Sequence, residues 1–438
     1  MKEVKKEFFK YTSLNILGMV GLSCYILADT FFVSKGLGSL GLTSLNLAIP
    51  IYSFIHGSGL MIGMGGGIKY SILKGQGRHN EANTVFVHSF MFTVVLSMLF
   101  VFIGLFASSL ITTMLQADHE VFYTTCTYLK TILLFSPMFM LNNLFICFIR
   151  NDGYPSSSMK AMLIGSFSNI ILDYIFIFPM DLGIFGAAFA TGLAPIISML
   201  TLLPLFIKKK NHFSFIKCKL TIKIFFHIFT SGLPSLITEI SSGIVIIIFN
   251  IIILDLSGNI GVAAYGIIAN LSLVVMSIYT GIAQGIQPMI SRYYGMNRYE
   301  NMKSTFHYAL KLMILLSIIL YLFIYFKAND IVLIFNNENN VLLQNIAIIG
   351  LRCYFTSCIF VGFNIIMTVY FASKEMVYQS HIISIFRGLI LIIPMAYLLS
   401  YLYGIIGVWF SFFSCEFLVC LIGIVMNKKY NITLNKKK

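Results

Sequence analysis

Four carboxylates stand inside otherwise apolar runs of this chain: Asp29, Asp173, Glu239 and Glu416. A carboxylate at mid-bilayer costs roughly 2.5–3.5 kcal/mol even on a permissive scale, so such residues are rare unless used. Asn169 precedes Asp173 by four residues, which puts both on one face of a helix. Ala187 and Thr191 share that spacing, and Pro195, four residues further on, loosens the Thr191 carbonyl from its helical bond. Asp29, Asn169, Asp173, Thr191 and the Ala187 carbonyl together offer oxygen ligands of the kind a hard cation prefers. They suit a shared proton equally well, because two close carboxylates do not both ionise cheaply. The plainer alternative is that Asp29 and Asp173 each cap or pair separately near the membrane surface.

The other two carboxylates read differently. Glu239 lies near the middle of its run, where it attracts cationic substrates, joins proton coupling, or hydrogen-bonds neighbouring helices as a buried residue. Glu416 and Arg387 fall at matching depth on adjacent runs, which predicts a structural ion pair. His56 reads as a packing residue. Lys130 is expected to snorkel outward or to approach the acidic cluster.

The elements that position these groups follow from composition and charge. The chain has 438 residues, 58% hydrophobic and 11% charged. Apolar runs of about 20 residues recur along it, each long enough to cross a bilayer. The net charge of +14 does not point to nucleic acid, because the basic residues are placed by topology. Clusters such as Lys2/Lys5/Lys6/Lys10, Lys69/Lys74/Arg78, Arg150/Lys160, Lys208/Lys209/Lys210 and Lys428/Lys429/Lys436/Lys437/Lys438 alternate with loops such as those holding Asp118/Glu120, Asp181, Asp255 and Lys327/Asp330/Glu338. That alternation is the positive-inside pattern and predicts twelve spans with both termini cytoplasmic. The spans are expected at about 12–34, 43–68, 84–110, 123–148, 161–180, 184–207, 225–254, 261–290, 305–327, 342–372, 378–402 and 404–426. At 1.5 Å per residue, Asp29, Asp173 and Thr191 then lie roughly 8–11 Å below the outer surface.

Two stretches repeat at an offset of 220 residues: Gly38, Gly41, Gly65, Gly75 and Arg78 meet Gly258, Gly261, Gly285, Gly295 and Arg298. Gly183 and Gly186 meet Gly404 and Gly407 at an offset of 221. The expected fold is therefore all-α and polytopic, with twelve transmembrane helices in two pseudo-symmetric six-helix lobes. The lobes are expected at 1–207 and 225–438, joined by a cytoplasmic linker at 208–224. Six is even, so the copies share one orientation and form a parallel repeat with a central cleft. Pro50, Pro137, Pro195, Pro234, Pro288 and Pro394 fall within spans as ordinary irregularities or as kinks. The eight Cys form no CxxC pair and read as packing residues.

Enzyme chemistry is not expected: the chain has no HExxH, no DDxxD and no GxSxG. Instead, Ala28-Asp29-Thr30-Phe31-Phe32-Val33 with Leu37-Gly38, Gly75-Gln76-Gly77-Arg78-His79-Asn80-Glu81-Ala82, Asn169 to Asp173, and Gly183-Ile184-Phe185-Gly186-Ala187-Ala188 resemble the MATE family, multidrug and toxic compound extrusion. The resemblance covers nearly the whole chain. It implies a two-lobe antiporter that exports drug-like, often cationic molecules while Na⁺ or H⁺ runs inward, with no other cofactor. It also implies a multi-pass protein of the bacterial cell membrane, a monomer among lipids. The family's first-lobe cation site falls on Asp29, Asn169, Asp173, Thr191 and the Ala187 carbonyl, which would hold Na⁺ if sodium is coupled. Glu239 resembles the second-lobe acidic residue. Residues 342–372 lack the further acidic residue of the NorM-like branch, so the chain more closely resembles the DinF-like or Gram-positive multidrug pattern. The alternative is a flippase for lipid-linked oligosaccharides, which would be expected to carry bases deep in the cleft.

Overall fold

A computed structural model describes residues 2–336 and 340–436, with side chains up to Lys429. Glu338, Lys437 and Lys438, used in the charge pattern, lie outside the described residues. All the regular elements among the described residues are helical. Among the described residues, nine apolar segments are long enough to cross a bilayer, counting as one the pair His119–Leu134 and Ser136–Asn151, which meet at 46°. Pro137 opens the second member of that pair.

Three of the nine are hairpins. The helix Lys2–Gly75 breaks at Gly38, Ile222–Gly295 at Gly258, and Ile392–Lys436 at Gly404. Tyr25 and Tyr52, either side of Gly38, bring their hydroxyls within 2.8 Å, which requires the two arms to run antiparallel. Phe249 and Tyr265 do the same about Gly258, with ring centroids 5.5 Å apart. The twelve spans are α1 (2–37), α2 (39–75), α3 (His79–Phe106), α4 (119–151), α5 (Pro155–Ile177) and α6 (Gly183–Ile207), then α7 (222–257), α8 (259–295), α9 (Tyr299–Phe335), α10 (Val341–Ala372), α11 (377–403) and α12 (405–436).

The repeat shows in the backbone. Gly38 and Gly258 have φ of 67° and 59°, Gly183 and Gly404 57° and 58°. With ψ of −156° and −159° at the first pair, this region is open essentially to glycine alone. A Cβ on Gly38, Gly258 or Gly404 would meet nothing within 4 Å, so the turn demands glycine for its conformation and not for space. Gly153 and Glu375, before α5 and α11, also share positive φ, at an offset of 222.

Two apolar cores form. Near the face that carries the basic loops, the halves interlock: Val4, Phe8 and Tyr11 at the start of α1 join the core built by α7–α12, and Ile228 and Leu236 of α7 join the core of α1–α6. This explains why α1 begins at Lys2, earlier than its apolar run suggests. Its first turns are amphipathic, with Val4, Phe8 and Tyr11 buried and Lys2, Lys5, Lys6 and Lys10 exposed. Glycines bring the seam to backbone contact: a Cβ on Gly232 would lie 1.8 Å from the Met61 carbonyl oxygen, and one on Gly65 2.0 Å from that of Ile228. Across the seam, Ser23 meets Ser277 at 3.3 Å. Beyond that level Val33 and Leu45 belong to one core and Phe249 and Ala264 to the other, so a cleft opens toward the face opposite the basic loops.

Arg150 departs from the expected loop position. The second part of α4 runs to Asn151, and Arg150 is fully buried at the seam, donating to Asn15 Oδ1 (3.0 Å) and Gln284 Oε1 (2.7 Å). The connection between the halves is also pinned. Phe213 is buried against Phe86, centroids 4.6 Å apart, and the Thr221 amide donates to His88 Nε2 at 3.0 Å.

Candidate cation site and cleft

Asn169 and Asp173 lie one turn apart on α5, both fully buried. The Asn169 amide is assigned the orientation that satisfies its neighbours, in which its nitrogen donates to Asp173 Oδ2 at 3.0 Å and its oxygen accepts from the Thr191 backbone N–H at 3.3 Å. The Thr191 hydroxyl donates to the Ala187 carbonyl at 3.0 Å, which ties the α6 pair together. Asp29 of α1 is buried and close enough to Asp173 for the two charges to repel. The structure thus ties Asn169, Asp173, Ala187 and Thr191 into one cluster spanning α5 and α6, with the buried Asp29 of α1 within electrostatic reach of it.

Asp29 Oδ1 and Asp173 Oδ1 are both buried without a hydrogen-bond partner among the described residues. Leaving such oxygens bare and charged costs several kcal/mol, so they attract a cation or a proton. Tyr128 of α4, buried, brings its hydroxyl to the Thr191 side chain and within electrostatic reach of both aspartates. Lys130 is exposed and turned away from the cluster.

The cluster adjoins the cleft. A cavity is lined by Tyr25, Tyr52, His56, Asn143 and Thr191, among others. Tyr25 and Tyr52 share a hydrogen bond, Tyr52 stacks on His56 at 5.8 Å, and His56 Nδ1 lies 3.7 Å from Glu239 Oε2 across the seam. Polar groups therefore run from Asp29 to Glu239. In the other half, Arg387 Nε donates to Glu416 Oε1 at 2.6 Å, and Asn364 of α10 donates to Glu416 Oε2 at 2.7 Å. No group of three or more His, Cys, Asp or Glu that could hold a metal occurs among the described residues. Any ion held at the first cluster would rest on two carboxylates with amide, hydroxyl and carbonyl oxygens.

Twelve apolar helices long enough to cross a bilayer, in two like halves, define an all-α polytopic membrane fold. The MatE family profile matches residues 15–175 and 234–398, one stretch in each half, and the chain belongs to that family. It is 26% identical over 427 residues to the multidrug export protein MepA of Staphylococcus saprophyticus, covering 97% of this chain and 93% of that protein. MepA of Staphylococcus aureus is 25% identical over 426 residues, with the same coverage. An outward-facing structure of a multidrug resistance MATE family transporter of the MOP superfamily superposes with a TM-score of 0.92 at 24% identity, covering 99% of this chain and 97% of the other.

Proposed function

We propose that the protein exports drug-like organic molecules across the bacterial cell membrane, driven by Na⁺ or H⁺ moving inward. The observation that carries this reading is the pair of buried, unpartnered oxygens on Asp29 and Asp173 beside the cleft. The similarity to MepA, a protein named for multidrug export, supports the substrate class. Taking the basic face as cytoplasmic puts both termini inside and opens the cleft outward. A cation entering the cluster neutralises the carboxylates and changes the packing of α1 against α5, which favours release of the bound molecule outside. Reclosure of 1–207 against 225–438 about the 208–224 connection exposes the site inside, where the cation leaves. The membrane potential adds about 2.3 kcal/mol per charge per 100 mV to the inward step. Glu239, joined to the cluster through His56 and the two tyrosines, draws cationic substrates into the cleft. The working unit is a monomer in lipid.

The flippase alternative expects bases offered to a diphosphate in the cleft. Arg150, a buried base at the seam, already donates to Asn15 and Gln284, and the charge of Arg387 in the other half is balanced by Glu416, so neither offers the unpaired positive charge a diphosphate needs. Dye efflux from proteoliposomes, with Na⁺ and H⁺ gradients imposed separately, tests the proposal. One of the two gradients drives ethidium out; equal efflux with no gradient would contradict coupling.

A further inference from the structure

The second half contains a cavity in the place that the first half gives to its cleft pocket. Its walls include Tyr265, Tyr354 and Phe412, with Ser241, Arg387 and Glu416. The repeat relates the two. Gly21 faces Ser166 in the first half as Ser241 faces Gly388 in the second. At offsets of 220 to 222, His56 corresponds to Met276, Gly165 to Arg387, Thr191 to Phe412 and Pro195 to Glu416.

The chemistry has been exchanged. Phe249 stands where the first half has Asp29, Phe412 replaces Thr191, and α11 carries no carboxylate. An arginine has been added where α5 has Gly165. The second pocket therefore lacks the oxygen set of the first and gains a guanidinium.

Two groups in this pocket are left with capacity to bind. Arg387 gives its Nε to Glu416, but its terminal nitrogens make no hydrogen bond to a protein oxygen among the described residues; Nη2 reaches Met276 Sδ at 3.9 Å. The other carboxylate oxygen of Glu416 is held by Asn364. Ser241 is buried and its hydroxyl has no partner among the described residues. The backbone here is also irregular: a π-turn spans Phe386–Ile390, and Gly388 is required because a Cβ would lie 2.1 Å from Ser241 Oγ. Such turns inside α-helices recur at functional sites. A buried ion pair serving stability alone gains little over apolar packing, and a free guanidinium edge matches a carboxylate's two oxygens.

We propose that the second-half pocket is a substrate subsite for amphipathic organic acids. The carboxylate sits on the Nη edge of Arg387 with Ser241 Oγ as a second donor, and the apolar body packs on Tyr265, Tyr354 and Phe412. This rests on the export reading for its biological meaning, since it names a class of cargo, but the pocket is tested by binding alone.

Purified full-length protein is titrated with dansylglycine, a fluorescent aromatic carboxylate, and with its neutral methyl ester. Wild type prefers the acid by about tenfold, as expected for a charge-assisted pair. The double variant Arg387→Met/Glu416→Gln removes both charges, so neither is left buried alone, and its acid-to-ester ratio falls to about one. Ser241→Ala, which perturbs the packing least, lowers the ratio to roughly threefold and keeps the test open if the double variant does not fold. Equal binding of acid and ester by wild type, or an undiminished preference in Ser241→Ala and the double variant, would overturn the proposal. Gradient-driven ethidium efflux by wild type is measured alongside. Its absence, with the acid preference intact, sinks the export reading and not the pocket.

Discussion

Asn169 is the pivot of the first-half cluster. It is the residue that connects Asp173 to the α6 backbone, at 3.0 and 3.3 Å. Asn169→Ala leaves both Asp173 oxygens without a fixed donor, so cation-driven efflux should fall by roughly 10- to 100-fold in proteoliposomes, since a hydrogen bond to a charged group is worth roughly 1.5–3 kcal/mol. Tyr128→Phe removes the hydroxyl that approaches Thr191 and both aspartates; its coupling-ion half-saturation should rise a few-fold, read from efflux against ion concentration, as suits roughly 1 kcal/mol. The carboxylates of this cluster were legible in the sequence because a charge in an apolar run is rare and its depth can be counted. Tyr128, Tyr25 and Tyr52 were not, because they are three of 23 tyrosines and nothing in their spacing separates a site residue from a packing one. His56 read as packing for a related reason: its neighbour Glu239 lies on α7, and only the folded seam puts them 3.7 Å apart.

At the scale of elements, the turns carry the architecture. Gly38 and Gly258 hold a backbone conformation that costs other residues about 1–3 kcal/mol, so Gly38→Ala and Gly258→Ala should each lower the thermal midpoint by several degrees although neither Cβ clashes. Gly232→Ala acts through contact instead: its Cβ would fall 1.8 Å from the Met61 oxygen, which forces α2 and α7 apart. Spin labels on the two halves near the basic face should report a wider separation in that variant, and unchanged distances would show that the seam absorbs the methyl group. The hairpin glycines stood out in the sequence because the two copies keep them in register. The start of α1 and the burial of Arg150 did not. Both depend on the other half of the molecule covering a face that looks merely basic when read along one chain.

For the whole molecule, the closed basic face is a set of cross-half contacts. Lys69 meets Glu375 at 2.6 Å, Glu7 pairs with Arg292, and Asn151 and Gln287 exchange two amide hydrogen bonds of 3.0 Å. The His227 ring and the Lys69 ammonium beside Glu375 hold its carboxyl down at about 2, against an ordinary 4.5. The charged form is thus favoured in the closed state. Its contribution is complete above pH 4.5 and is lost as pH falls toward 2. Glu375→Gln should shift the population toward opening at the basic face about two- to fivefold at neutral pH, as suits roughly 0.5–1 kcal/mol for a partly exposed pair. Interlobe spin-label distances measure that shift.

Cation-driven ethidium efflux from proteoliposomes containing wild type, Asp29→Asn or Asp173→Asn most directly tests whether the first-half oxygens are the ion site. If they are, either substitution abolishes efflux under the gradient that drives wild type, while the variant protein remains folded and inserted. Wild-type rates in both Asn variants under that same gradient would contradict it.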